Sequence, residues 1–358
     1  MSKDRVVLAM SGGVDSSASA ALLKREGLEV VGVTMVLAPE PERSRRGGTS
    51  ASNDVEDARA VAKKLGIEHL TLNFQEIFEK EIIVPYANAY AQGLTPNPCA
   101  VCNRKIKFGV LAAKARELGA KWLATGHYAR VATRSGRKMI AQGKDAQKDQ
   151  SYFLFTLKND DLEFIRFPVG EFTKKEVRDM AAELDLPVAR KSESKEACFV
   201  TGYDYLPVVE RYADEIPAPG EITLSDGRVV GRHKGVHRFT VGQREGLNVS
   251  LGRPMYIIGI DAEHDRIIIG GREECRSEEL VARAVIWNYY ESAKENMEVS
   301  VRIRYRTKPL KARLFPMSDS RMKVVFTEEA PLVTPGQAAV FYRDELVLGG
   351  GWIERPIR

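Results

Sequence analysis

Between the apolar run Arg5–Met10 (RVVLAM) and a helix-forming stretch that reaches Arg25 stands Ser11-Gly-Gly-Val-Asp-Ser-Ser17. A turn with two glycines and three hydroxyls at a strand–helix junction leaves few folding options. The glycines let backbone approach a phosphate and aim N–H donors at it, and the helix start adds the positive end of its dipole. Ser11, Ser16 and Ser17 can donate hydroxyl hydrogen bonds. Asp15 would repel a bare phosphate, so its expected role runs through Mg²⁺ or through orienting the loop amides. The stretch is not GxxxxGK(S/T), so transfer of a γ-phosphate at a Walker site is not implied. A loop of this kind belongs beyond the carboxyl end of a buried strand in a parallel α/β sheet.

The following residues keep the same alternation. Val30–Val36 and His69–Asn73 read as strands, and Trp122–Thr125 as another, ending at Gly126-His127. Asn53 can cap a helix to Lys64, with Glu56 at the capping-box position and Gly66 as the stop. Arg104–Leu118 is amphipathic and ends at Gly119. The pattern predicts a parallel sheet covered on both faces. After Gly202 the character changes to short strand patterns broken by glycine and proline: Met255–Ile260, Arg266–Ile269, Val281–Trp287, Val299–Tyr305, Met322–Phe326 and Ala338–Tyr342. They predict a small β-rich central domain and a C-terminal β-barrel or sandwich. The expected domains are 1–205, 206–276 and 277–358. Pro39–Ala51 reads as a polar, Gly-rich loop.

A chain of 358 residues, 44% apolar and 29% charged, can bury two or three ordinary cores. Its net charge of +5 suits a polyanionic partner without demanding one. No apolar run approaches the roughly eighteen residues of a membrane span, and MSKDRVVLAMSGG lacks signal-peptide design. The expected location is the cytoplasm, with no membrane partner. Four cysteines (Cys99, Cys102, Cys198, Cys275) are too few for a disulfide scaffold, so they read as inert, metal-binding or catalytic. Cys99 and Cys102 lie in Thr95-Pro-Asn-Pro-Cys99-Ala-Val-Cys102-Asn-Arg-Lys-Ile-Lys-Phe108. Pro96 and Pro98 stiffen a loop leading into a helix, and Cys102 is expected near its start, where the dipole and Arg104, Lys105 and Lys107 lower a thiol pKa. Cys198 also has cations nearby, partly offset by Glu193 and Glu196.

The heptad resembles the SGGxDS pyrophosphatase (PP) loop of the N-type enzymes that split ATP between α and β phosphates and adenylate a carbonyl oxygen. Argininosuccinate, GMP, NAD and tRNA lysidine synthetases share it, so it indicates ATP chemistry and not the substrate. Further stretches narrow the choice: AMSGGVDSS (9–17), TPNPCAVCNRKIKFG (95–109), ATGHYARV (124–131), KDQSYFL (148–154), ACFV (197–200), TVGQREGL (240–247), IRYR (303–306) and TPGQAAVFY (334–342). In this order they resemble the bacterial tRNA-specific 2-thiouridylases along the whole chain. The resemblance implies an adenine-nucleotide α-hydrolase-like PP-loop domain, ATP with Mg²⁺, adenylation of the wobble uridine's C2 oxygen, and displacement of AMP by persulfide sulfur to give 2-thiouridine. It implies a monomer whose partners are tRNA with a wobble uridine and a sulfur-donor protein of a persulfide relay.

Carried over by motif, Cys198 bears the persulfide and Cys102 is the thiol that releases the sulfur, the two forming a disulfide in the cycle; Asp15 is the catalytic acidic residue of the loop. Ala9, Met10, Ser11, Gly12, Gly13, Val14, Asp15 and Ser16 surround the phosphates, and Met35 and Gly126 meet the nucleotide. Asn97, Pro98 and Cys99 match the loop for the target base. His127, Lys148, Asp149, Gln150, Arg304, Tyr305 and Gln337 match tRNA contacts. A lone histidine at a strand end is otherwise a satisfied polar residue. The chain departs from the family twice: Thr49-Ser-Ala-Ser-Asn53 lacks a common cysteine pair, and position 99 is often Asp. Cys99, Cys102 and Cys198 therefore also form a candidate ligand set for a 4Fe–4S cluster. Zinc would need a fourth ligand from His127 or Cys275.

Independently, Arg302, Arg304 and Arg306 alternate with apolar or aromatic residues, which on a strand places them on one face. Lys308, Lys311, Arg313, Arg321 and Lys323 extend the charge, which reads as a solvated barrel face or as a phosphate-binding one. The target base must leave its stack, and an aromatic such as Tyr128 could support it. Two other readings stay open: another PP-loop adenylating ligase using ammonia or an amino acid, and an ATP-gated RNA-binding or sulfur-carrying protein without turnover.

Overall fold

A computed structural model of the chain describes residues 3–38, 51–192, 197–200, 204–289 and 293–354. Most of the expected loop 39–51, and Glu193 and Glu196, lie outside the described residues. By their contacts the residues divide into two compact units, the first Met1–Glu81, Cys99–Tyr203 and Glu345–Val347, the second Ile82–Pro98, Asp204–Asp344 and Leu348–Arg358.

The first unit holds the parallel sheet. Its strands β1 (Arg5–Ala9), β2 (Glu29–Val36), β3 (Glu68–Asn73), β4 (Trp122–Thr125) and β7 (Ile165–Arg166) run in the order β3-β2-β1-β4-β7. Between β4 and β7 a hairpin, β5 (Ala129–Arg134) and β6 (Arg137–Gln142), turns through left-handed Ser135 and Gly136. The chain builds outward from β1 to β3 and then returns to the other side of β1 for β4. That reversal opens a crevice at the carboxyl ends of β1 and β4, the usual ligand position in such sheets. Helix α1 (Val14–Arg25) is buried over most of its surface because it packs on two sides. Ala20 and Leu23 join Val6, Leu8 and Val30 of the sheet, while Ala18 joins Tyr128, Val169 and Val177 beneath the helix Lys174–Glu183. Helix α2 (Ala51–Leu65) adds Ala58 and Val61 to the sheet core. It begins two residues before the expected cap at Asn53 and stops at left-handed Gly66 as its sequence requires.

In the second unit, helix Val84–Ala91 lies beside helix Leu206–Tyr212, with Tyr90 stacked on Tyr205 at 4.2 Å between ring centroids. Four strands, β8 (Gly220–Leu224), β9 (Val229–His233), β10 (Tyr256–Asp261) and β11 (Arg266–Gly270), form a central sheet ordered β10-β11-β8-β9 over Ile222, Phe239, Ile257 and Ile267. Six more form a closed barrel: β12 (Arg276–Trp287), β13 (Met297–Arg302), β14 (Leu310–Pro316), β15 (Met322–Pro331), β16 (Ala338–Arg343) and β17 (Leu346–Ile353). β12 closes it by bending at left-handed Ala284. Its first half pairs with β15 and its second half with β17, and Ala282 faces both Met322 and Ile353. A side chain at 351 would meet the Arg283 carbonyl at 2.7 Å, so glycine there admits the bend. The barrel settles the alternative left by strand patterns alone. No helix among the described residues is long and apolar enough to cross a membrane.

His237, in the central domain, is 1% exposed, and neither ring nitrogen finds a hydrogen-bond partner among the described residues. Burial pushes its pKa down, with Arg238 adding to the effect. The unfolded chain takes up a proton near pH 6.5 while folded His237 resists it, so this group costs stability as the pH falls below that value. Denaturant titrations at pH 7.5 and 5.5 are expected to show a loss at the lower pH that His237→Leu reduces.

Candidate phosphate loop and thiol site

The loop is assembled from three sides. β1 ends at Ala9, in register with Val33 of β2 and Thr125 of β4. Met10 donates its N–H to the Val33 carbonyl at 2.8 Å, and its side chain is core, 2% exposed, so only its backbone is available to a ligand. Gly12 is left-handed (φ 66°), and a Cβ there would lie 2.4 Å from the Asp54 carbonyl of α2. Lys191 completes that side: its ammonium meets Asp54 at 2.9 Å, Asp57 at 2.6 Å and the Gly12 carbonyl at 3.1 Å. On the other side Gly126 follows β4 so closely that a Cβ would sit 2.8 Å from the Ser16 nitrogen. Gly13 starts α1 with no side-chain cap, which leaves the N–H groups of its first turn available for an anion.

Two of the three loop hydroxyls are engaged with the backbone. Ser16 and Ser17 donate to the Gly13 carbonyl at 3.1 and 2.9 Å, and Ser17 is fully buried. Ser17 is therefore a brace of the turn and not a phosphate donor; Ser11 is exposed. Val14 is buried in the hydrophobic core beside Ala181 and Leu186. Met35, near the end of β2, is half-buried.

Asp15 is held by two donors from elsewhere in the unit. Its carboxylate accepts from Lys174 Nζ at 2.6 and 2.8 Å and from the Tyr128 hydroxyl at 2.7 Å. Both carboxylate oxygens thus accept from donors of the protein itself. Tyr128, 3% exposed and tied to Asp15, is not a platform for a displaced base. Sequence reasoning missed Lys174 and the part Lys191 plays. The one local signal was the capping box Thr173-Lys-Lys-Glu176, which fixes the start of the helix that carries Lys174.

The thiol-bearing helix begins at Pro98, six residues before the expected start, passes through a widened turn (Asn103–Val110) and ends at Glu117. Proline suits a first helical position because its missing N–H has no helical acceptor there. Cys102 thus lies a full turn inside and is buried, while Cys99 and Cys198 are exposed. Burial decides the acidity of Cys102 and overrides any dipole effect: its thiol is pushed up to about 12. Lys107 opposes the shift, and Cys198 and Cys99 add to it. Phe199, packed edge-on against Phe78 at 5.8 Å between ring centroids, anchors the segment that carries Cys198. Among the described residues, no three His, Cys, Asp or Glu side chains converge as a metal site. The trio therefore does not fit a 4Fe–4S cluster as arranged, and His127 and Cys275 do not complete a zinc site. Cys275 belongs to the second unit and donates to the Gly271 carbonyl.

His127 is 8% exposed, hydrogen-bonded to Thr125 at 2.7 Å and boxed by Phe108 and Phe167. Burial first, and Lys107 second, hold it neutral. Asp149 is 2% exposed and accepts from Gly143, Ser151 and Gln142, so its side chain shapes the loop instead of reaching outward. Gln150 is bonded to the Tyr128 backbone in both directions, and Lys148 is half-buried beside it.

In the second unit the expected arginine stripe dissolves. β13 ends at Arg302, which is buried with its guanidinium 5.2 Å from the Tyr342 ring centre. Arg304, in the turn beyond, donates to Thr334 and to the Val241 and Leu332 carbonyls. Tyr305 is half-buried and Arg306 exposed. Arg313, Arg321 and Lys323 pair with Glu298, Glu354 and Glu279. Gln337 also turns inward: its amide donates to the Thr95 and Pro96 carbonyls at 2.9 and 3.1 Å, while the Thr95 N–H reaches the Pro335 carbonyl at 2.9 Å. These bonds hold the loop leading to Asn97, 5% exposed, and Pro98.

Gly126→Ala is expected to displace the start of α1 and weaken ATP binding by about tenfold or more, since overpacking costs on the order of 1–3 kcal/mol; nucleotide titration checks it. Gln337→Ala is expected to speed protease cleavage within 94–97 in the absence of RNA, read by timed digestion and peptide mass.

Comparison with known proteins agrees with this arrangement. The chain matches the family models described as tRNA methyl transferase HUP domain over 4–202, tRNA methyl transferase PRC-barrel domain over 208–271, and aminomethyltransferase beta-barrel domain over 277–353. The protein named tRNA-specific 2-thiouridylase MnmA in Halothermothrix orenii is 43% identical, with 98% of this chain and 99% of that one aligned. Proteins of the same name in Moorella thermoacetica and Geotalea uraniireducens are each 45% identical, covering 97% and 99% of this chain and 99% and 96% of their own. With near-complete alignment, a PP-loop at the sheet's switch point and a closed C-terminal barrel, the chain belongs to the tRNA-specific 2-thiouridylase family of tRNA-modifying sulfurtransferases.

Proposed function

We propose that this enzyme replaces the C2 oxygen of a tRNA wobble uridine with sulfur, using ATP to activate the base and a persulfide on Cys198 to deliver the sulfur. The observation that carries the reading is the presence, in one compact unit, of an uncapped phosphate loop and the three cysteines Cys99, Cys102 and Cys198. The N–H groups from Gly12 to Ser16 hold the nucleotide phosphates, and Gly126 leaves room beside them. Mg²⁺, when bound, offsets phosphate charge. The uridine C2 oxygen attacks the α-phosphate and pyrophosphate leaves. The terminal sulfur of the Cys198 persulfide then attacks C2 and AMP leaves. A second thiol, Cys102 by its motif, attacks the Cys198 sulfur; the new disulfide forms as the sulfur stays on the base, and a dithiol resets the pair.

Burial keeps the thiol of Cys102 protonated at neutral pH. Such a thiol resists idle oxidation and needs loss of a proton before it attacks. The exposed Cys198 suits loading by a sulfur-donor protein. Two family models carry the description tRNA methyl transferase, yet nothing in the methyl-transfer reaction calls for a pyrophosphatase-type loop and three cysteines in one unit.

Unmodified tRNA, ATP and a persulfide donor are expected to yield AMP, pyrophosphate and a base with sulfur in place of oxygen. Cys198→Ala is expected to abolish sulfur transfer while pyrophosphate release persists. A methylated base, or thiolation by Cys198→Ala at the wild-type rate, ends the proposal.

A further inference from the structure

Lys174 occupies a position that its own chemistry disfavours. It is the first residue of the helix Lys174–Glu183, where the dipole repels a cation, and it is only 8% exposed, where a charge loses water. Its backbone has no freedom to move away. The N–H donates to Asp145 at 2.9 Å, and the preceding Thr173 is locked by the capping box with Glu176. A lysine held at such a place needs a compensating anion, and Asp15 supplies it with both carboxylate oxygens within 2.8 Å. The Tyr128 hydroxyl shares one of those oxygens, and the ammonium lies 5.7 Å from the Tyr128 ring centre.

Asp15 has the opposite difficulty. It sits in the first turn of α1, where a carboxylate is favoured by the dipole but competes for the amide groups that a phosphate would use. We infer that Lys174 is a positioning residue of the phosphate loop: it cancels the charge of Asp15 and, with Tyr128, holds that carboxylate so that a nucleoside triphosphate can dock on the backbone amides. The inference rests on the reading that this loop takes ATP. It gives Asp15 a structural and electrostatic part, and predicts that removing both charges together harms nucleotide binding less than removing the cation alone.

The test is an equilibrium titration of the full-length protein with the α,β-methylene analogue of ATP, with Mg²⁺ present. Lys174→Met is expected to bind the analogue at least about tenfold more weakly, because an uncompensated carboxylate then stands beside the phosphates. The double variant Asp15→Asn, Lys174→Met is expected to recover to within about threefold of wild type. A merely structural ion pair would lower the melting temperature of both variants without this recovery. Where Lys174→Met fails to fold, the double variant, which buries no unpaired charge, decides alone: near wild-type affinity supports the inference and a loss beyond tenfold overturns it. Unchanged affinity in folded Lys174→Met also overturns it. Wild type that binds no analogue overturns the ATP reading and takes this inference with it.

Discussion

One carboxylate organises the nucleotide end of the molecule. Asp15 draws together the start of α1, the residue after β4's Gly126-His127 and the first residue of the helix Lys174–Glu183. Those three pieces come from distant parts of the chain, and without a shared charge each would present its own unsatisfied group to the crevice. A buried ion pair is weak evidence for stability, because desolvation offsets most of its attraction. It is better evidence for placement, since each partner excludes other positions for the other. On the opposite side Lys191 repeats the device with Asp54 and Asp57, so the glycine turn is clamped between two ion-paired walls.

The thiols show how burial overrides local signals. Basic neighbours and a nearby helix start suggest an acidic, reactive Cys102. The helix instead begins at Pro98, which moves Cys102 into the packed interior, and loss of water raises its pKa further than Lys107 can lower it. Neutral His127 obeys the same ordering of effects, with aromatic walls outweighing any benefit of charge.

What the sequence made legible follows from what is local. The SGG turn, the parallel α/β alternation and the β-rich remainder are local patterns, and β1, β2, β3 and β4 lie within a residue of their expected bounds. The cysteine motifs singled out three sulfurs without revealing which were buried. The arginine stripe failed because alternation continues past Arg302 while the strand does not; Pro309 and the turn at 303–308 break the ladder. Gln337, Asp149 and Arg304 carry motif-level expectations of outward contact, yet their hydrogen bonds run to backbone and side chains hundreds or tens of residues away or within their own loop. Lys174 was invisible because nothing in its own neighbourhood announces Asp15 across 159 residues of chain. Pairings of that kind belong to tertiary structure, and no periodicity encodes them.

The bend in β12 has a consequence for how the barrel can be approached. Because that one strand zips to β15 along its first half and to β17 along its second, each of the six staves has a bonded neighbour on either side over at least part of its length. A guest strand, or a second copy of the chain, finds no stave with a whole flank open. Recognition by this end of the molecule therefore falls to side chains and rim turns, whose contacts form and break without unravelling the wall behind them.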